Sequence, residues 1–265
     1  MNYSLYSNSL LLNRKNTLIL RPMLKDSTMW YASWFDTPYY HILYKDRGHT
    51  EAQQFMDNLS GYLSLEPDEK ILDLACGKGR HSIYLNQLGF DVTGVDLSKN
   101  SIEYASQFEN ETLRFRVHDM SKPFNKEFSA IFNLFTSFGY FEKEECNLNT
   151  IKAIKSDLNE KGLGVIDFMN VDYVIDHLIP EETKEVSGIV FHIKRYVKEG
   201  YIFKEIKFTD NNEEFFFTER VKALTLNDFQ NYFEEAKVDL LDIFGNYQLE
   251  KFHKTTSPRL ILIFK

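Results

Sequence analysis

The chain has 265 residues, 43% of them hydrophobic, and its 39 acidic against 31 basic side chains give a net charge of −8. That length and apolar content suit one large α/β domain with a small appendage, and no apolar run is long enough to cross a bilayer. The acidic balance argues against a general affinity for nucleic acid, which needs clustered basic residues, while leaving a local basic groove open. Residues 1–25 are rich in Asn, Ser and Leu without a clean period, and Arg21-Pro22 interrupts any helix, so a flexible lead is expected. The same stretch lacks the basic segment and small-residue cleavage site of a secretory signal. Domain structure is expected from residue 26 to residue 265, with an amino-terminal arm over 26–66. Asp26 would cap a helix running through Trp30, Tyr31, Trp34 and Phe35.

Thr50–Leu65 reads as an amphipathic helix with Phe55, Leu59, Tyr62 and Leu63 on one side. Ile71–Leu74 is a short apolar run of the kind found in buried parallel strands. The glycine-rich turn Ala75-Cys76-Gly77-Lys78-Gly79 follows and opens a helix over Arg80–Leu88, which Gly89 ends. A second apolar run, Val92–Val95, stops at Asp96. Ser98 caps a helix to about Phe108, and Leu113–Val117 and Phe128–Leu134 are the third and fourth strands. A helix is expected over Glu142–Lys161, closed by Gly162, and then a fifth strand over Leu163–Met169. Beyond Asn170 a short helix or turn over Val171–Leu178 precedes Pro180. Alternating apolar and polar residues over 185–196, 201–209 and 213–224, separated by turn sequences, predict a three-stranded antiparallel meander within an insert spanning 183–224. Asn227 would cap the last helix, to about Ala236, and Val238–Phe244 and Leu260–Phe264 would be the last two strands. The fold expected is α/β: a doubly wound, mostly parallel seven-stranded sheet with an inserted antiparallel β meander.

The stretch Lys70–Ser98 is a strand–glycine loop–helix–strand–acid unit, the form of a nucleoside-binding half of such a sheet. Gly77 and Gly79 let the backbone bend sharply and let a ligand approach without meeting a Cβ. The helix start at Arg80–Ser82 aims free N–H groups at the loop. An acid about 20 residues beyond the loop is where a ribose diol is held. The loop departs from G-x-G-x-x-G because Ile83 stands near the third glycine's place, and it lacks the Gly-Lys-Ser/Thr of a P-loop.

Asp73-Leu-Ala-Cys-Gly77-Lys-Gly79 followed by Val95-Asp96-Leu97-Ser98 closely resembles motif I and the following acid of class I S-adenosylmethionine-dependent methyltransferases. The resemblance covers about Trp34–Asn170, more weakly the rest, and implies a Rossmann-like methyltransferase fold with S-adenosyl-L-methionine as cofactor. It implies that Asp73 orders the loop near the methionine part. Ala75, Gly77 and Gly79 would pack against the cofactor, and Asp96, next to Leu97, would take both ribose hydroxyls. Asp119, with Met120, would sit at the adenine amino group, and Asn133 at the end of the fourth strand. In relatives acting on small molecules a tyrosine and a basic residue of the arm contact the methionine carboxylate, which points here to Arg47 with Tyr40 or Tyr44. The same aromatics could instead cap the sheet edge. The arm is expected to close over the cofactor as a lid with Tyr39, Tyr40 and Tyr44.

The segment after the fourth strand, Asn133–Tyr140, should line the reacting centre. It lacks Asn-Pro-Pro-Tyr and is similar to the polar-aromatic stretch of small-molecule methyltransferases. Tyr140 and His41 are candidate catalytic groups, and His192 is a further candidate base. Asp167 is either structural or directed to the substrate. No His and acid pairing suggests a metal site. Cys76 and Cys146, without metal spacing, suit a reducing, cytoplasmic compartment. The reading that follows is methyl transfer to an O or N atom of a small-molecule acceptor, by a monomer or homodimer without nucleic-acid or membrane partners. Its rivals are a macromolecular methyltransferase acting on RNA or protein, a cofactor-binding protein without transfer activity, and, weakest, a dehydrogenase.

Overall fold

A computed structural model describes residues 34–45 and 49–265. The expected lead 1–25, the helix capped by Asp26, and Arg47 lie outside the described residues. Helix α1 (Pro38–Leu43) starts on Thr37, whose hydroxyl accepts from the Tyr40 amide, with Pro38 at the first turn where its missing N–H costs nothing. Helix α2 (His49–Tyr62) leads to β1 (Lys70–Leu74). Then come α3 (Arg80–Gln87), β2 (Asp91–Asp96), α4 (Lys99–Ala105), β3 (Leu113–Val117), β4 (Phe128–Asn133), α5 (Glu144–Asp157), β5 (Leu158–Met169) and α6 (Val171–Asp176). Strands β6 (Glu181–Val186), β7 (Ile189–Lys198), β8 (Tyr201–Asp210) and β9 (Glu213–Lys222) follow. The chain closes with α7 (Leu226–Ala236), β10 (Leu240–Phe244) and β11 (Arg259–Phe264).

The main sheet has seven strands in the order β10-β11-β5-β4-β1-β2-β3. Only β11 runs against its neighbours. Successive residues of β11 feed opposite cores. Leu260, Leu262 and Phe264 join Ile151, Ile154, Phe229 and Phe233 of α5 and α7, whereas Ile261 and Ile263 join Phe55, Leu59 and Leu85 of α2 and α3. Burial on both faces explains why these strands read as unbroken apolar runs. Strand order reverses between β1 and β4, which places a crevice at the carboxyl ends of those two strands.

Several expected boundaries differ, three of them for a clear physical reason. The meander has four strands, not three. Ser187 and Gly188 both take positive φ, 54° and 81°, as do Glu199-Gly200 and Asn211-Asn212, so three two-residue turns of one class join β6–β9. The Ser-Gly pair was buried inside a run read as one strand. Second, α5 stops at Asp157 rather than Lys161. The Asp157 carboxylate accepts from the amides of Phe124 (2.6 Å) and Asn125 (2.9 Å), and Leu158 already pairs with Phe128 in the sheet. Gly162 is therefore no helix cap. A Cβ there would stand 2.7 Å from the Phe128 carbonyl oxygen, so glycine permits the close approach of β5 to β4. Third, Thr225 rather than Asn227 caps α7, in a reciprocal capping box with Asp228.

The apolar face of the four-stranded sheet packs on the arm. Phe191, Ile193, Ile206 and Phe208 enclose Trp34 and Leu43. The sheet reaches the carboxyl edge of the main sheet through β9: the Lys222 amide donates to the Gly139 carbonyl at 2.9 Å, and Ile202 and Val221 enter the core beside α7.

Candidate active site

The crevice at the β1/β4 switch point is built by the glycine loop. Ala75, Gly77 and Gly79 all take positive φ (59°, 56° and 80°), which curls the chain back on itself. At Gly79 nothing larger fits, since a Cβ would lie 2.5 Å from the Phe115 ring. The Cys76 amide donates to the Val95 carbonyl (3.0 Å), locking the loop to β2.

Asp73 is buried and accepts a hydrogen bond from Ser82 Oγ at 2.6 Å. Burial pushes its carboxyl up to about 7; Ser82 opposes the shift and the neighbouring Asp96 adds to it. Asp96 receives the Gly77 amide on Oδ2 and the Ser98 amide on Oδ1, each at 2.8 Å. Burial raises its proton affinity, those amides lower it, and Asp36 raises it again. A carboxylate has about four lone-pair sites, so each oxygen can still accept one donor from a diol. A buried acid and a half-buried one within electrostatic reach of each other make a place that favours a cation.

Asp119 accepts from the amide (3.0 Å) and hydroxyl (2.7 Å) of Ser121, and Lys122 lies 3.6 Å from its other oxygen. The His118 amide donates to the Asp96 carbonyl, bringing the ends of β2 and β3 together. Asn133, fully buried, spans the switch point: its Nδ2 lies 3.3 Å from the Leu74 carbonyl and 3.5 Å from Met120 Sδ. Its buried Oδ1 has no hydrogen-bond partner among the described residues. Such an orphaned acceptor is costly unless a ligand's donor meets it. The two acids, the loop bare of side chains at Gly77 and Gly79 and this waiting acceptor fit an adenosyl sulfonium amino acid.

The arm reaches the same edge. The Phe35 ring meets Tyr140 edge-on at 5.6 Å, and Asp36 accepts a hydrogen bond from Ser98 Oγ. His41 lies within electrostatic reach of Lys78 and Asp36, and burial and Lys78 together hold its imidazole below the usual range. Tyr40 is surrounded by Trp34, Phe35, His41 and Tyr44. The Tyr44 hydroxyl instead turns to the meander, donating to Glu219 Oε1 at 2.6 Å and receiving Lys204. His192 stands on the opposite, solvent face of the meander beside Thr183, apart from this group. A depression of about 490 Å³ between Lys70, Asp91, Arg114 and Glu127 lies at the amino ends of the strands, away from all the expected site residues.

Asp167 is structural. Fully buried, it takes Arg259 at 2.7–2.8 Å on Oδ1 and the Phe135 amide at 2.7 Å on Oδ2. Arg259 also donates to Thr136 Oγ1 at 2.9 Å. This clamp holds Phe135 and Thr136 at positive φ and so aims the chain after β4 toward the crevice. Ser82, Arg259, Asp36 and Glu219 escaped the sequence reading. Ser82 alone had a local signal, a small polar residue one turn into the helix that faces Asp73. Among the described residues no group of three or more His, Cys, Asp or Glu side chains is placed to hold a metal ion, and no helix is long and apolar enough to span a membrane.

Comparison with known proteins agrees with this geometry. Residues 65–244 match the family model described as a methyltransferase domain. The glycine/sarcosine N-methyltransferase of Aphanothece halophytica is 29% identical over 49% of this chain and 50% of its own. The chain spans about half the length of the curated relatives it matches. Among solved structures, an S-adenosylmethionine-dependent methyltransferase from Clostridium acetobutylicum ATCC 824 superposes with a TM-score of 0.72 at 21% identity, over 86% of this chain and 95% of that one. CalS10, an amino pentose methyltransferase from Micromonospora echinaspora with S-adenosylmethionine bound, gives 0.67 at 17% identity over 86% and 96%. With the family model covering most of the main sheet and the glycine loop, this chain belongs to the methyltransferase-domain family and has the fold of class I S-adenosylmethionine-dependent methyltransferases.

Proposed function

We propose that the enzyme methylates an oxygen or nitrogen atom of a small molecule held beside Tyr140, beneath the arm. S-Adenosylmethionine supplies a methyl group already activated by the sulfonium charge, so the protein's work is alignment and exclusion of water. Asp96 would hold the ribose, Asp73 the methionine end and Asp119 the adenine. The observation that carries the small-acceptor reading is the roof. Phe35 on Tyr140 and the β9 bond to Gly139 bring the arm and the meander onto the carboxyl edge, where a macromolecule would need an open groove. The N-methyltransferase activity named for the Aphanothece relative supports the same class. An acceptor that enters protonated must lose a proton, and His41, kept neutral near pH 7 by burial and Lys78, is suited to receive it, with Tyr140 the second candidate. The unpaired Cys76 and Cys146 support a cytoplasmic setting, and the charge of −8 supports working without nucleic acid, as monomer or homodimer.

The test is a mass-spectrometric screen of cell extract with isotopically labelled methyl donor. Label is expected in low-mass products. Label confined to protein or RNA would overturn the small-acceptor reading. Calorimetry with S-adenosylhomocysteine and with NAD gives the accompanying expectation, binding of the first and none of the second.

A further inference from the structure

Four consecutive residues at the start of the arm are divided between two bodies. Trp34 Nε1 donates to Glu219 of the meander at 2.7 Å. Phe35 turns to Tyr140. Asp36 takes the Ser98 hydroxyl on one oxygen and lies 3.3 Å from Asn100 Nδ2 with the other. Thr37 closes the turn, its amide 3.0 Å and its hydroxyl 2.8 Å from the Trp34 carbonyl, and caps α1. Further along the same stretch, side-chain hydrogen bonds run to the meander, through Tyr39 to Asp210, Tyr44 to Glu219 and Lys45 to Ser187. Asp36 thus ties residues 34–37 to the glycine-loop half, at the end of β2.

The point it grips is special. Ser98 follows Asp96 by two residues and caps α4, its hydroxyl accepting from the Ser101 amide at 3.0 Å. Its own amide fixes Asp96 Oδ1 at 2.8 Å. A continuous chain of hydrogen bonds therefore runs from the arm through Ser98 to the carboxylate read as the ribose acid. Placing a second carboxylate here works against Asp96, whose proton affinity Asp36 raises. A tie that existed only to pack the arm could be made by a neutral side chain or at a distance from that acid.

We propose that Asp36 is a positioning residue for the cofactor, pinning the arm to the N-cap of α4 and thereby coupling arm closure to occupation of Asp96 by the ribose. This rests on Asp96 as the ribose acid. Removing the tie leaves the arm bonded to the meander but no longer registered on the ribose, so the loss falls on binding and not on folding.

The experiment measures S-adenosylhomocysteine affinity by calorimetry in Asp36→Ala, Asp36→Asn and Asp96→Ala, with hydrogen exchange of residues 38–43 in each state. Asp36→Ala should weaken binding by about tenfold, the size expected for a lost charge-assisted hydrogen bond, with little change in ligand-free Tm. Asp36→Asn keeps an oxygen that accepts from Ser98 and should bind within about twofold of wild type on the same reasoning. Ligand-induced protection of 38–43 should appear in wild type and Asp36→Asn and vanish in Asp36→Ala. If Asp96→Ala weakens binding while Asp36→Ala does not, the tie is packing only and the proposal falls alone. If Asp96→Ala also binds like wild type, the ribose reading falls with it. Equal losses in the Ala and Asn variants would overturn the tether as well, as would a wild-type arm whose protection ignores the ligand, a result that needs no variant to fold.

Discussion

The seven-stranded sheet is buried on both faces, whereas the four-stranded sheet is covered on one and wet on the other. In β11 every residue from Leu260 to Phe264 is buried; in β7, Phe191 is buried between exposed Val190 and His192. The first sheet builds its own two cores from helices next to each strand in sequence. The second has one apolar face and, among the described residues, no helix of its own, and it packs on residues 34–45 from the far end of the chain. Trp34 and Glu219 meet across 185 residues and Tyr39 and Asp210 across 171. Such long-range closure is entropically expensive, which suits the proposed role of this region as a cover that closes over ligand.

The largest expected effect breaks the main sheet. Arg259→Met removes the partner of fully buried Asp167 and leaves a charge in the core. The loss should be about 3–5 kcal/mol in a denaturant titration, and the turn at Phe135–Thr136 should loosen with it. A loss below about 1 kcal/mol would mean that the backbone alone orders this edge. A smaller effect tests the second sheet. Glu219→Ala strands the buried Trp34 N–H and removes one acceptor from the Tyr44 hydroxyl, at a cost of about 1–3 kcal/mol, whereas Glu219→Gln keeps an acceptor and should cost less. Hydrogen exchange should rise over 34–45 and β9 while β1 and β4 keep their protection. Equal loss of protection in both sheets would show one cooperative unit and dissolve the contrast.

The smallest signal is a proton. With its carboxyl pushed up to about 7, Asp73 carries a proton in part of the molecules at neutral pH. A ligand ammonium beside it favours the carboxylate, so binding should release a fraction of a proton and tighten modestly as pH rises through 7. Calorimetry of S-adenosylhomocysteine in buffers of different ionisation enthalpy measures that release. No difference between wild type and Asp73→Asn in the number of protons released would separate Asp73 from the methionine end.

The glycine-loop half of the fold was legible because its signals are local. Asp73, Gly77, Gly79 and Asp96 lie within one strand–loop–helix–strand unit, and the loop's backbone conformation demands small residues at set spacings. The carboxyl edge was legible in part: Tyr140 and the arm were singled out, yet Asp167 could not be resolved without Arg259, which stands 92 residues further on. Gly162 read as a helix stop because a glycine that ends a helix and one that lets two strands touch look alike in sequence. Ser187-Gly188 carried a turn signal that the long alternation around it outweighed.

By itself, then, the sequence determined the doubly wound sheet, the glycine loop and the acids at its strand ends, since short-range sterics and hydrophobic runs dictate them. Only the tertiary structure decided that Asp167 serves Arg259 and the Phe135 amide, that Tyr44 turns to Glu219, and that Asp36 grips Ser98. Each of those is a pairing of polar groups remote in sequence. A lone carboxylate or hydroxyl carries no mark of its partner until packing removes the water that would otherwise have satisfied it.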